Sequence, residues 1–162
     1  MIVGFTGTRD GMTEAQRKSV RALVKWLQPA EAHHGECKGA DFEFYEICRK
    51  EDVCMIVAHP PLNEKHRVLT ESNIHRDPRP YLARNHKLVN DSECLIAAPS
   101  TEDEQLRSGT WATVRYARAR GRKIYLVNPD GCVNAEGLRV GLSIGLYADD
   151  TEALSPQGEK VR

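Results

Sequence analysis

Short apolar runs alternate with segments of helical spacing along most of this chain, and that alternation constrains its fold more than any other feature. Residues 2–6 (IVGFT) form a β-leaning run that stops at Gly7, and residues 13–28 then set Val20, Leu23, Val24 and Leu27 on one helical face. Thr13 followed three residues later by Gln16 is a capping-box start for that helix. A weak strand at 30–34, a helix over 42–49 and a third strand from Met55 (MIVAHPP), closed by two prolines, repeat the unit. A helix at 81–90 leads into CLIAA at 94–98. A helix at 110–120, with Gly121 as its C′ residue, leads into KIYLV at 123–127. Residues 61–79 are polar and aperiodic, a connection long enough to suggest function or mobility.

Apolar strands alternating with helices predict an α/β fold: a single Rossmann-like three-layer domain with a mostly parallel sheet of about five strands, covered on both faces through right-handed crossovers. This domain is expected over residues 1–131. After Pro129 the pattern decays, so residues 132–162 read as a C-terminal extension, weakly structured or packed on the domain edge, with a weak strand pair and a fraying end.

At 162 residues the chain can bury one core without disulfides or a structural metal. Lys plus Arg (23) balance Asp plus Glu (23), which argues against a protein that holds nucleic acid through backbone phosphates. Five scattered cysteines, odd in number and never C-x-x-C, suggest neither a disulfide framework nor a zinc knuckle, and fit a reducing cytoplasm. The start lacks a basic stretch followed by an apolar run, and no apolar segment approaches the roughly 18 residues of a membrane helix. A soluble, cytoplasmic protein without a membrane partner is expected. The histidines (His33, His34, His59, His66, His75, His86) are too scattered to specify a metal site, and no cofactor is expected.

Ligands of open parallel sheets bind beyond the carboxyl ends of the strands, and three small-residue turns fall there. In GFTGTRDG, Gly7 permits a tight turn while Thr8 and Arg9 offer a hydroxyl and a guanidinium to an anion. In KGAD, Gly39 and Ala40 permit close approach, and Asp41 can accept hydrogen bonds from ribose hydroxyls. Ser108, Gly109 and Thr110 open a helix, where unbonded N–H groups and the dipole favour a phosphate. Each turn has a plainer reading as helix capping, and Asp41 as a first-turn acid favoured by the dipole. Their joint position on one sheet edge is the argument for a site. Arg84 and Asn85 follow the long loop as further binding candidates, Arg115 and Arg118 read as a solvated helix face, and Trp111 and Tyr116 read as core.

The blocks GFTGTR, HHGECKGAD, YLARNHKLVNDSECLIAAP and RSGTWATVRYARARGRKIYLVNPDG, in that order, resemble the SLOG superfamily of Rossmann-like nucleotide-binding domains. That group includes the Lonely Guy phosphoribohydrolases, the DNA-processing protein A domain and many small bacterial and phage members. The resemblance covers about residues 2–131 and implies a nucleotide or nucleotide-derived ligand held by the turns named above. The superfamily's enzymes carry a PGGxGT turn with a glutamate three residues after the threonine. Here the turn is RSGTWAT and Thr113 stands at the glutamate's place, where it cannot act as a carboxylate. Binding without cleavage, in a sensor or sequestering role, is therefore the first expectation. The alternative is a nucleoside-phosphate N-glycosidase in which Asp41, Glu43 or another carboxylate replaces the missing glutamate at the ribose, with Arg84 as a further catalytic candidate. A second alternative is single-stranded DNA binding through a patch of Arg67, Arg76, Arg79 and Arg84. Pairing of helix faces into a homodimer is the expected assembly.

Overall fold

The computed structural model describes residues 1–137, and the fold is the expected α/β three-layer domain. The elements are β1 (Ile2–Gly7), α1 (Glu14–Leu27), β2 (Glu31–His34), α2 (Ala40–Lys50), β3 (Met55–Ala58), β4 (Ile74–His75), α3 (Tyr81–Asn90), β5 (Cys94–Ala98), α4 (Gly109–Ala119), β6 (Lys123–Val127) and β7 (Val133–Glu136). One sheet runs in the order β4-β3-β2-β1-β5-β6-β7, parallel throughout except for β7, which pairs antiparallel with β6.

The sheet has seven strands rather than about five. β4 is a two-residue exposed strand inside the polar 61–79 segment, recruited beside β3 by tertiary contacts that no local pattern signals. β7 returns after the turn at Pro129 to Cys132, where Asn128 N donates to the Cys132 carbonyl, and it places residues 133–136 in the sheet. The rest of the C-terminal extension, 138–162, lies outside the described residues.

Alternation along the strands builds the two cores. Val3, Phe5, Ile96, Tyr125 and Val127 pack with α1 and α2, while Leu95, Ala97, Ile124 and Leu126 pack with α3 and α4. Phe5 stacks on Phe44 of α2 with ring centroids 4.4 Å apart. The capping box forms as the sequence predicts: Thr13 accepts from Gln16 N, and Gln16 returns its side chain to Thr13 N. Gln16 is itself buried, and its Nε2 donates to the carbonyls of Pro99 (2.7 Å) and Val127 (3.0 Å), tying α1 to the ends of β5 and β6. Among the described residues no helix is long and apolar enough to cross a membrane.

Candidate functional site

From β1 the chain works outward to β2, β3 and β4, then returns to lay β5 on the other side of β1. The direction of winding therefore reverses between β1 and β5, which leaves a crevice beyond their carboxyl ends. A cleft of about 300 Å³ occupies this place, walled by the loop after β1, residues 35–41, the start of α3 and the loop from Ser100 to Thr110. Thr8 stitches the walls together. Its N–H donates to the Ala98 carbonyl (3.3 Å), and its own carbonyl accepts from Ala40 N (3.0 Å).

Gly39 makes that stitch sterically feasible. It sits at φ +84°, and a Cβ there would stand 2.2 Å from the Arg9 carbonyl oxygen. Gly39 and Ala40 thus lie behind the wall, fixing how closely two turns meet, while Gly7, Thr8, Arg9, Asp41, Arg84, Asn85, Ser108, Gly109 and Thr110 line the cleft. Glu43 is directed elsewhere: its carboxylate accepts from Met12 N (2.7 Å) and pairs with Arg17 (3.3 Å) at the start of α1.

Among the described residues four cationic side chains line the cleft, Arg9, Lys38, Arg84 and Arg107, against the single carboxylate of Asp41. Arg84 is buried at 6 % exposure. Its Nη1 donates to the carbonyls of Gly35 and His59, the latter at 3.1 Å, while its Nε has no partner among the described residues. The guanidinium carbons of Arg9 and Arg84 stand 4.8 and 5.4 Å from the centroid of the Tyr81 ring. Asp41 is buried, and that burial raises its carboxyl to about 6 despite the opposing fields of Arg84 and Arg9 and a hydrogen bond from the Cys37 backbone. Burial, with Asp41 nearby, also raises the Cys37 thiol, which keeps it protonated rather than a thiolate nucleophile.

At the opposite wall the Ser108 hydroxyl caps α4 by accepting from Trp111 N (3.3 Å). The capping reading therefore holds for the hydroxyl. The N–H groups of Gly109 and Thr110 remain in the first turn, where the helix supplies no carbonyl, and the space a Gly109 side chain would occupy is open. Thr113 is buried and its hydroxyl donates to the Gly109 carbonyl (2.9 Å), so it is committed to the helix backbone.

Other residues lining the cleft were not singled out by sequence: Gly35, Cys37, Lys38, Tyr81, Ser100 and Arg107. Tyr81 had a signal, since Tyr81 and Arg84 lie three apart on one helix and so share a face. Of the arginines proposed as a DNA patch, Arg84 is buried and Arg67 pairs with the fully buried Glu36. Arg118 pairs with Glu104 and Glu136 on the outer face of α4, and Trp111 is in the core. Glu36 also accepts from Thr70 N, from Thr70 Oγ1 and from His75, and so fastens the 61–79 segment to the sheet. The histidines are less scattered than the sequence suggested, for His33 and His59 are in contact and His34 packs on Tyr45. Burial lowers His34 and His59 to about 3, so both stay neutral.

No protein-family model and no curated protein matches this chain in sequence. Solved structures share its fold. The molybdenum cofactor binding protein from the phototrophic bacterium Rippkaea orientalis aligns with a TM-score of 0.62 at 19 % identity, over 78 % of this chain and 76 % of that one. The molybdenum cofactor carrier protein of Chlamydomonas reinhardtii gives 0.55 at 16 % identity, over 77 % and 74 %. DNA processing protein A from Streptococcus pneumoniae gives 0.59 at 16 % identity, over 96 % of this chain but 59 % of its own length. At these identities the likeness is one of fold alone.

Proposed function

We propose that the chain holds a nucleotide or nucleotide-derived small molecule in the β1–β5 cleft, in a sensing or sequestering role, without cleaving it. One observation carries this reading. In a chain whose formal charges cancel, four cationic side chains and one carboxylate converge on a single crevice at the switch point of the sheet. The first turn of α4 offers N–H groups to a phosphate and Arg9 offers a bidentate donor, while Arg84, held by the Gly35 and His59 carbonyls, adds positive charge beneath the cleft. Asp41 is the group placed to accept from ribose hydroxyls. With Thr113 bonded to its own helix, the position of the usual glutamate supplies no carboxylate.

Calorimetric titration with mono-, di- and cyclic nucleotides, NAD, ADP-ribose and the molybdenum cofactor tests the reading. The last is included because two proteins of the same fold are named for it. Saturable binding of at least one phosphate-bearing ligand is expected, and absence of binding across the panel would sink the proposal.

The Asp41 carboxyl supports a second reading. A buried carboxyl that titrates near 6 inside a cleft is suited to proton transfer, as N-glycosidic hydrolysis requires. Chromatography of nucleoside monophosphates incubated with the protein would then show free base and ribose phosphate, and Asp41→Asn would abolish both products. If neither product forms, this reading fails while the binding reading stands.

A further inference from the structure

A second polar cluster lies on the α3 face of the sheet. His34 turns toward Tyr45 of α2, so His33, its neighbour on β2, points to the opposite face. There His33 meets His59, which follows β3, with His33 Nδ1 and His59 Nε2 2.8 Å apart. Both residues are almost fully buried, at 1 % and 2 % exposure. Asp91, just past α3, brings a carboxylate oxygen into the group, and the three ligand atoms lie within 4.8 Å of one another. One Asp91 oxygen pairs with Lys87, while the other, Oδ2, is buried without a hydrogen-bond partner among the described residues. Behind His33, a Glu31 oxygen lies 3.1 Å from the ring nitrogen that faces away from His59.

We propose that His33, His59 and Asp91 form a site for one divalent transition-metal ion of the zinc class, with Glu31 orienting His33 from behind. Two imidazoles in contact share one proton between facing nitrogens, and a metal ion in that place uses both lone pairs. It also gives Asp91 Oδ2 the partner it lacks. Ligation at roughly 2.1 Å in tetrahedral geometry sets donor atoms roughly 3.4 Å apart, so the two ring nitrogens would separate by about 0.6 Å, with the rings turned until their lone pairs converge and the Asp91 carboxylate drawn in from within 4.8 Å. Two imidazoles and one carboxylate match zinc, cobalt or nickel better than calcium or magnesium, which take oxygen ligands. A carboxylate on the distal nitrogen of a ligating histidine fixes its tautomer and strengthens it as a donor. Arg76 and Lys87 set positive charge against the ion, while Asp91 and Glu31 set negative charge in its favour. A water or a small anion completes the fourth position. The site shares a wall with the cleft, because Arg84 donates to the His59 carbonyl.

The test uses the full chain, stripped with EDTA and titrated with Zn²⁺ and Co²⁺. The expected result is one ion per chain, a Co²⁺ visible spectrum of a four-coordinate nitrogen–oxygen site without thiolate charge transfer, and a melting temperature that rises with Zn²⁺ and falls back with EDTA. Asp91→Asn and His59→Gln should each weaken Zn²⁺ binding more than tenfold. Glu31→Gln, at a half-exposed position, should weaken it by about tenfold, with an unchanged circular dichroism spectrum as evidence of folding. Absence of stoichiometric binding, a thiolate-dominated Co²⁺ spectrum, or wild-type affinity in folded Asp91→Asn and Glu31→Gln proteins would overturn the proposal. None of these outcomes depends on what the cleft binds.

Discussion

Arg84 reaches the cleft only because residue 35 is glycine: a Cβ at Gly35 would stand 2.0 Å from Arg84 Nη1 and 2.6 Å from Asp41 Oδ2. The main-chain carbonyl of the same glycine accepts from Arg84. Gly35→Ala should therefore displace both charged groups of the site, weakening an anionic ligand at least tenfold and destabilising the fold by about 1–3 kcal/mol. Calorimetry and denaturant unfolding measure the two effects. Unchanged affinity would show that Arg84 does not contribute to binding.

Asp41 makes stability depend on pH in a stated direction. Its carboxyl titrates at an ordinary 3.8 when unfolded and at about 6 when folded, so between those values the folded chain binds more protons. Stability is then greatest below that window and falls as pH rises through it, at a total cost of about 3 kcal/mol above pH 6. Asp41→Asn removes this cost. The advantage of the variant over the wild type should grow from pH 4 to pH 7, and parallel unfolding curves across that range would contradict the assignment.

Glu36 should be a structural anchor. It is fully buried and holds Arg67, Thr70 and His75, so Glu36→Gln leaves donors of a buried ionic network partly unsatisfied. A loss of about 3–5 kcal/mol is expected, with limited proteolysis accelerated first within residues 61–79. Cleavage at wild-type rates would show that the segment is held by other contacts.

Single-stranded DNA should not shift in a gel at moderate salt. Arg67 is committed to Glu36 and Arg84 is buried, which leaves Arg76 and Arg79 of the arginine group exposed, too few for strong phosphate binding. A robust, salt-sensitive shift would restore the nucleic-acid reading.

The elements legible in the sequence were those whose signal is local. The CLIAA and KIYLV strands, the Thr13–Gln16 box and the Gly121 stop, at φ +65°, stand where their residue types place them. β4 was not legible, because Ile74 and His75 become a strand only by lying beside Val57 and Ala58. The same division applies to the cleft. Gly7, Thr8, Ser108 and Gly109 announce themselves as turn residues, whereas Lys38 and Arg107 resemble any solvated cation until the fold brings them to one crevice. His33 and His59 lie 26 positions apart, and only the pairing of β2 with β3 brings them together.

A nucleotide phosphate seated on the first turn of α4 would lie against the main-chain amides of Gly109 and Thr110. Amide chemical shifts in a ¹⁵N-labelled chain, followed during titration with the tightest nucleotide of the panel, test it residue by residue. Saturable shifts at Gly109 and Thr110, together with Thr8 and Arg9 across the cleft, and none at Gly121, are the predicted result. Shifts that leave Gly109 and Thr110 unmoved while the ligand saturates would contradict it.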